Sequence, residues 1–329
     1  MAISTNENRT DPAGWQPQPA VVARTRREQQ ARRLFSAFAV LPVALILAVA
    51  LGLAARSWPI FAAYPLQDLL FGTVWKPSEF SFGLLPFIAG TFWVTLVGVG
   101  LAVPPCMLIA VYLSEYAHAG TRAFVRPALD LLAAIPSVVF GVWGLVVIVP
   151  FVQQVLAPLA NSTVGGVLPF FASSQPTGFS VLAGGLVVAV MIAPLLVSVV
   201  YEVMLTLPND LRRASLAIGA TRWETIRRVL LPQVLPGMLA AVVLGASRAL
   251  GETIAVLMVV GNIPQMPASV FDAAYPLPAL IANNYGEMMS IPLYDSALLG
   301  AALILLAVIV FFNVASQVVL LRLKQRKWQ

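Results

Sequence analysis

Charge is scarce in this sequence. Only 10% of its 329 residues are Asp, Glu, Lys or Arg, against about 25% in a soluble domain. That shortage excludes an ordinary soluble globule. A mean hydropathy of +0.87, with 59% hydrophobic residues, points instead to an integral membrane protein. The single cysteine, Cys106, lies in an apolar run, which excludes an intrachain disulfide or a cysteine cluster. The single histidine, His118, excludes a histidine-rich metal site. No Gly-x4-Gly-Lys-Ser/Thr phosphate loop occurs, so the chain is not expected to hydrolyse ATP itself. No segment between apolar runs is large enough for a soluble catalytic domain. Asn8 and Asn161 stand in Asn-x-Ser/Thr triplets, which read as chance occurrences.

Six apolar runs of about 20 residues or more are present, the length a bilayer core requires. They cover about Phe35 to Ala54, Leu85 to Leu113, Leu129 to Val152, Phe179 to Val203, Gly237 to Val260 and Ser296 to Leu321. The first starts too late and runs too long for a signal peptide and reads as an uncleaved span. The second contains Pro104 and Pro105 and reads as one kinked or tilted helix, since no polar turn interrupts it. Residues 1–34 are polar, without apolar periodicity, and are expected to form a disordered basic tail on the cytoplasmic side. Residues 35–329 would form one all-α polytopic domain with a polar loop at 204–236. In the third run Asp130 is expected at the inner edge as a helix-start charge near Arg126. Pro136 can kink that helix and free a carbonyl beside Ser137, which either lines a path or packs. Met191 and Met204 read as core or lipid-facing.

The net charge of +6 comes from 20 Lys and Arg against 14 Asp and Glu. Basic excess raises nucleic-acid binding as a possibility. Its distribution removes that reading, because the positive charge follows topology. With the N-terminus inside, 17 of the 20 basic residues fall in four inner segments and Arg56 and Lys76 alone fall outside. This is the positive-inside pattern, with both termini cytoplasmic. Trp58 and Trp75 suit the outer interface and Trp328 the inner one.

The basic segment after the fourth run is built for two short helices. Asn209 or Asp210 can cap a helix beginning near Leu211, and Gly219 can end it. Thr221 with Glu224 forms a capping box for a second helix, expected to stop at Pro232. Leu211, Ala214, Leu216, Ala217 and Ile218 give the first helix an apolar face. An amphipathic hairpin on the inner leaflet and a knob offered to a partner both satisfy this pattern. The fifth run carries Arg248 and Glu252 in its middle, and a mid-membrane charge costs about 2.5–3.5 kcal/mol on insertion scales. Four residues apart, the two can pair on one helix face, as a self-neutralising packing device. Arg before Glu is the less favourable order for such a pair. The other reading is a pathway charge, with Arg248 attracting an oxyanion and Glu252 holding it between visits.

Three motifs resemble known permeases. Arg213-Ala214-Ser215-Leu216-Ala217-Ile218-Gly219, then Val229-Leu230-Leu231-Pro232, resembles the E-A-A-x3-G-x9-I-x-L-P loop of binding-protein-dependent ABC importer permeases. Arg213, Ser215 and Val229 replace the family's Glu, Ala and Ile. Gly245 to Val256, continuing to Gly261-Asn262, resembles the G-x-x-R-A-L-G-E-T-x-A-V…G-N signature of phosphate-importer permeases, the PstC type more than the PstA type. Leu131 to Gly141 is close to their L-L-A-G-I-P-S-V-V-Y-G. The resemblance runs from about Leu85 to Leu321. It implies a MetI-like ABC importer permease fold in a bacterial cytoplasmic membrane, carrying inorganic phosphate inward by alternating access. It implies a PstA-like second subunit, two PstB-like ATPase subunits that bind ATP and Mg, and an external phosphate-binding protein. Arg248, Glu252, Thr253 and Ser137 would then line the path, and Arg213, Ala214, Ser215, Gly219, Ala220 and Thr221 would couple to the ATPase. Alternatives are a permease for molybdate or sulfate, a PstA-like paralogue, a self-sufficient carrier, and a membrane-embedded enzyme. The last lacks any nucleophile–base pair beside the deep charges.

Overall fold

A computed structural model describes residues 19–163, 169–172, 177–287 and 291–325. By internal packing the chain divides into residues 1–52 and 53–329. Among the described residues six helices are long and apolar enough to cross a membrane, and the protein is a multi-pass, all-α membrane protein. A two-residue antiparallel pairing of Trp75–Lys76 with Ser81–Phe82 is its only sheet among the described residues.

The first helix spans Pro19–Ala63. It begins well before the apolar run, so Arg24, Arg26, Arg27, Arg32 and Arg33 lie on helix rather than on a structureless tail. Residues 1–18 lie outside the described residues, as does Trp328.

The second and fourth spans, Leu85–Glu115 and Val181–Leu205, form the centre of the larger unit. Two-thirds of the fourth span's most apolar window (67%) is buried inside the chain, against 22% for the sixth, so the fourth is the axle and the sixth is peripheral. Small residues let the central pair close up. A Cβ on Gly98 would stand 2.8 Å from Val188 Cγ1, and one on Gly185 would stand 2.5 Å from Val97 Cγ1. Each glycine receives a valine of the facing helix, a knob-and-hole exchange that no larger residue permits. Val94, Ala102, Cys106 and Ala110 meet Val187, Ile192, Leu196 and Val200 in the core that results. Pro104 and Pro105 sit inside the second span without ending it, as its sequence indicated. A second core joins Ile60, Phe87, Leu277, Leu280, Tyr294 and Leu298.

Three boundaries differ from the sequence expectation. The third span starts at Ser137, not Leu129, and runs to Ser162. The stretch before it is a separate helix, Ala119–Ala134, with no buried residue. Ile135 and Pro136 are extended between the two (ψ 130° and 142°), because a proline pushes its predecessor out of helical geometry. Asp130 therefore lies late in this surface helix, not at a helix start. The fifth span is Arg222–Leu250, not Gly237 to Val260. It passes through Pro232 and Pro236 instead of stopping at the first. A π turn over Ile226–Leu230 precedes Pro232, with the Leu231 N–H reaching back to the Ile226 carbonyl. That wider turn accommodates a proline with no N–H to give. At its far end the fifth span stops at Leu250, inside the apolar run.

Candidate functional site

The first part of the site is the loop after the fourth span. A nine-residue helix covers Asn209–Ala217. Pro208 occupies its N-cap position without a side-chain bond, so neither Asn209 nor Asp210 caps it as expected; both lie in its first turn. Gly219 ends it with φ +88°, and a Cβ there would meet nothing within 4 Å. The reason for glycine is backbone conformation alone. Thr221 then caps the next helix through the expected box. Its hydroxyl accepts from the Glu224 N–H at 3.2 Å, and Glu224 accepts from the Thr221 N–H at 2.9 Å.

Two contacts fix this hairpin to itself and to the spans. The Ser215 and Thr225 hydroxyls bond at 2.9 Å in a buried position, so Ser215 ties the two short helices together. Arg212 bridges to Glu115 at the end of the second span at 2.7 Å, with both side chains mostly buried. It also donates to the Leu207 and Met204 carbonyls at 3.0 and 3.2 Å. The sequence reading passed over Arg212 for Arg213. The apolar flank of Leu207 before it and the uncompensated Glu115 were the available signals. Arg213 and Ala214 are exposed, as is Thr221. The tip carries large apolar side chains that none of the described residues covers: Ile218 is 86% exposed and Trp223 54%. Met204, read as core or lipid-facing, is fully buried against Ile226, Leu230 and Val234 beneath this hairpin.

The second part is the break in the fifth span. Helix ends at Leu250 with Gly251 in the C-cap position, and a short helix resumes at Ile254–Leu257. Arg248 and Glu252 thus do not share one helical face, and no ion pair joins them. Glu252 accepts from the Ala255 N–H at 3.2 Å and so caps the short helix, while the Thr253 hydroxyl donates to the Gly251 carbonyl at 3.2 Å. Arg248 stands in the last turn before the break, exposed. Among the described residues no carboxylate pairs with it, and a guanidinium so placed has the donor geometry to bind an anion. The self-neutralising pair is overturned: the helix that would have carried it ends between its two members.

The residues around the break are held by neighbouring elements. The single Ser247 O–H has two acceptors in reach, the Val243 carbonyl at 2.8 Å and Asn313 Oδ1, on the sixth span, at 2.9 Å, and donates to one of them at a time. Asn313 was missed in the sequence, although it is an amide in an apolar run. The start of the third span abuts the short helix after the break. A Cβ on Gly141 would lie 2.7 Å from Met258 Sδ and 3.0 Å from Ala255 Cα. Ser137, four residues earlier on the same helix, is half-buried in its first turn. The structure therefore brings the two motif segments together. It does not bring them to the loop, where Arg213, Ala214, Ser215, Gly219, Ala220 and Thr221 form a separate site.

Comparison with known proteins gives a consistent picture. Residues 106–328 match the family described as binding-protein-dependent transport system inner membrane component. The chain is 36% identical over 311 residues to the phosphate transport system permease protein PstC of Xylella fastidiosa, covering 92% of this chain and 95% of that protein. It is 37% identical over 289 residues to the probable ABC transporter permease protein YqgH of Bacillus subtilis, covering 87% and 88%. In fold it resembles a chain of a bacterial alginate ABC transporter solved with its alginate-bound periplasmic protein, with a TM-score of 0.58 and 18% identity over 88% of this chain and 94% of that one. A chain of the MetNI methionine ABC transporter matches with a TM-score of 0.50 and 21% identity over 73% of this chain and 94% of that one.

Proposed function

Because this chain belongs to the family of inner membrane components of binding-protein-dependent transport systems, we propose that it is the PstC-type half of an ABC permease importing inorganic phosphate. Membership makes it a transport subunit and not an enzyme, one that works with an ATPase and a solute-binding protein. The finer reading adds the solute, the direction and the partners. Two PstB-like ATPase subunits hold ATP and Mg and take up the exposed Ile218–Trp223 tip. A PstA-like subunit faces this chain across the path. A phosphate-binding protein delivers the solute outside. Both termini are placed in the cytoplasm of a bacterial cell, by the distribution of basic residues.

Arg248 carries this reading. An exposed guanidinium at a helix break in a membrane span is costly unless it serves a solute path. A free backbone turn at membrane depth has the same requirement, since irregular backbone there is tolerated where it lines a cavity or is buried in protein. Phosphate binds Arg through paired charge-assisted hydrogen bonds. Glu252 and Thr253, in the turn itself, and Ser137, on the helix packed beside it, complete the polar set. In the cycle, ATP binding draws the ATPases together, moves the hairpin hinged at Gly219, and exposes the path outward; hydrolysis resets it.

Radiolabelled phosphate uptake by cells carrying this chain with its partners tests the proposal, with and without excess sulfate or molybdate. Uptake that neither anion competes, and that Arg248→Ala removes, is expected. Competition by either anion moves the solute to another oxyanion. Retained uptake in a normally expressed Arg248→Ala protein makes Arg248 a structural residue.

A further inference from the structure

A cavity of about 450 Å³ lies behind the hairpin, between its inner side and the ends of the second and fourth spans. Its polar wall includes Glu115, Arg122, Asn209, Arg212, Arg222 and Thr225. Three guanidinium groups and one carboxylate leave the wall with a positive balance. The carboxylate is already taken, because Arg212 holds both Glu115 oxygens, with Nε 3.1 Å from each.

The other two arginines have capacity to spare. Arg122 donates one Nη2 bond to the Ser114 carbonyl at 2.9 Å. Its Nε is buried with no acceptor, a costly state for a cationic donor. Arg222 lies exposed at the start of the fifth span and has no carboxylate partner among the described residues. Two incompletely bonded guanidinium groups facing one cavity form the receptor expected for a tetrahedral phosphate group. The volume is in the range of small-ligand pockets, larger than orthophosphate alone requires. Leucines 205, 207 and 216 supply an apolar side to the same cavity.

We propose that this cavity is a second anion site, for a phosphate-bearing ligand, separate from the break at Arg248. Basic pockets between spans on the cytoplasmic side are suited to anionic headgroups, and free phosphate offers the same oxygens. Its walls join the Asn209–Ala217 helix and the start of the fifth span to Arg122 of the Ala119–Ala134 helix. A bound phosphate group would therefore brace the hairpin against the spans and set how readily it moves. The inference does not depend on phosphate being the transported solute.

The test is thermal melting of the full transporter in nanodiscs. One arm uses phosphatidylcholine alone with added orthophosphate, and the other uses phosphatidylcholine mixed with phosphatidylglycerol. A saturable rise in melting temperature is expected in one arm, which identifies the source as free phosphate or lipid. In Arg122→Gln and Arg222→Gln the same rise should need about tenfold or more ligand, the loss of one charge-assisted bond. Both arms are also run in an Arg248→Ala background, where the transport-path arginine is gone; a saturable rise should remain there, which separates this site from the transport path. No rise in either arm of the Arg248→Ala background, or a rise at unchanged ligand concentration in both glutamine variants, overturns the proposal. Arg222 makes no ion pair among the described residues, so its variant decides the matter even where Arg122→Gln destabilises the protein.

Discussion

Arg212 and Arg248 are both arginines at helix ends of one membrane protein, and the fold treats them oppositely. Arg212 is mostly buried and spends its donors on Glu115 and two carbonyls. Arg248 is exposed and meets no carboxylate among the described residues. A charge that exists for the fold is enclosed and satisfied by it. On the proposed function the second charge is left open for a solute, with its desolvation cost borne elsewhere in the fold. The same contrast separates the two regions. The hairpin is tied down on its inner side and bare at its tip, whereas the break is held by Asn313, through Ser247, and by the third span around an open cation.

The contrast can be broken at several points. Arg248→Ala should reduce uptake on the order of a hundredfold or more, the scale of losing a hydrogen-bonded charge partner, while membrane assembly is unchanged; uptake and membrane abundance measured together check it. Gly219→Pro replaces a φ of +88° with one fixed near −65°. Transport should fall steeply while the spans stay folded, and unchanged transport with normal ATPase association would reduce the hairpin to a surface feature. Arg212→Ala strands Glu115 and should cost about 2–4 kcal/mol, a value lowered for the residual exposure of the pair. Glu115→Gln in the same chain should recover part of that loss, as denaturation of the double variant would show. Thr221→Ala removes the capping box and should cost about 1 kcal/mol, with a correspondingly small change in melting temperature and little in uptake.

The spans were legible because length and hydropathy are properties of a run, and six runs became six spanning helices. The capping box at Thr221 and the left-handed turn at Gly219 were legible because each rests on local chemistry. Helix ends inside apolar sequence were not. Leu250 to Val260 is apolar on both sides of Glu252, so hydropathy passes over the break; the signals were Gly251 and the charge after it. Leu131 to Ile135 joins the third run without a polar gap, and Pro136 was the better guide to where the span begins. Pro232 misled in the other direction, since a π turn beside it lets a helix continue. That Arg248 and Glu252 stand four residues apart in an apolar run was visible from the sequence, whereas the absence of an ion pair between them is a property of the backbone between them.

That π turn has a geometric consequence. At about 100° per residue, an unbroken α-helix would bring Arg248 to within about 20° of the azimuth of Trp223. A π turn absorbs one extra residue, so the two stand about 120° apart around the axis. Were Ile226–Leu230 to tighten into α geometry at constant sequence, everything beyond Leu230 would advance about 1.5 Å and turn by about 100°. One residue of slack near the hairpin thus sets the compass bearing of the arginine in the membrane.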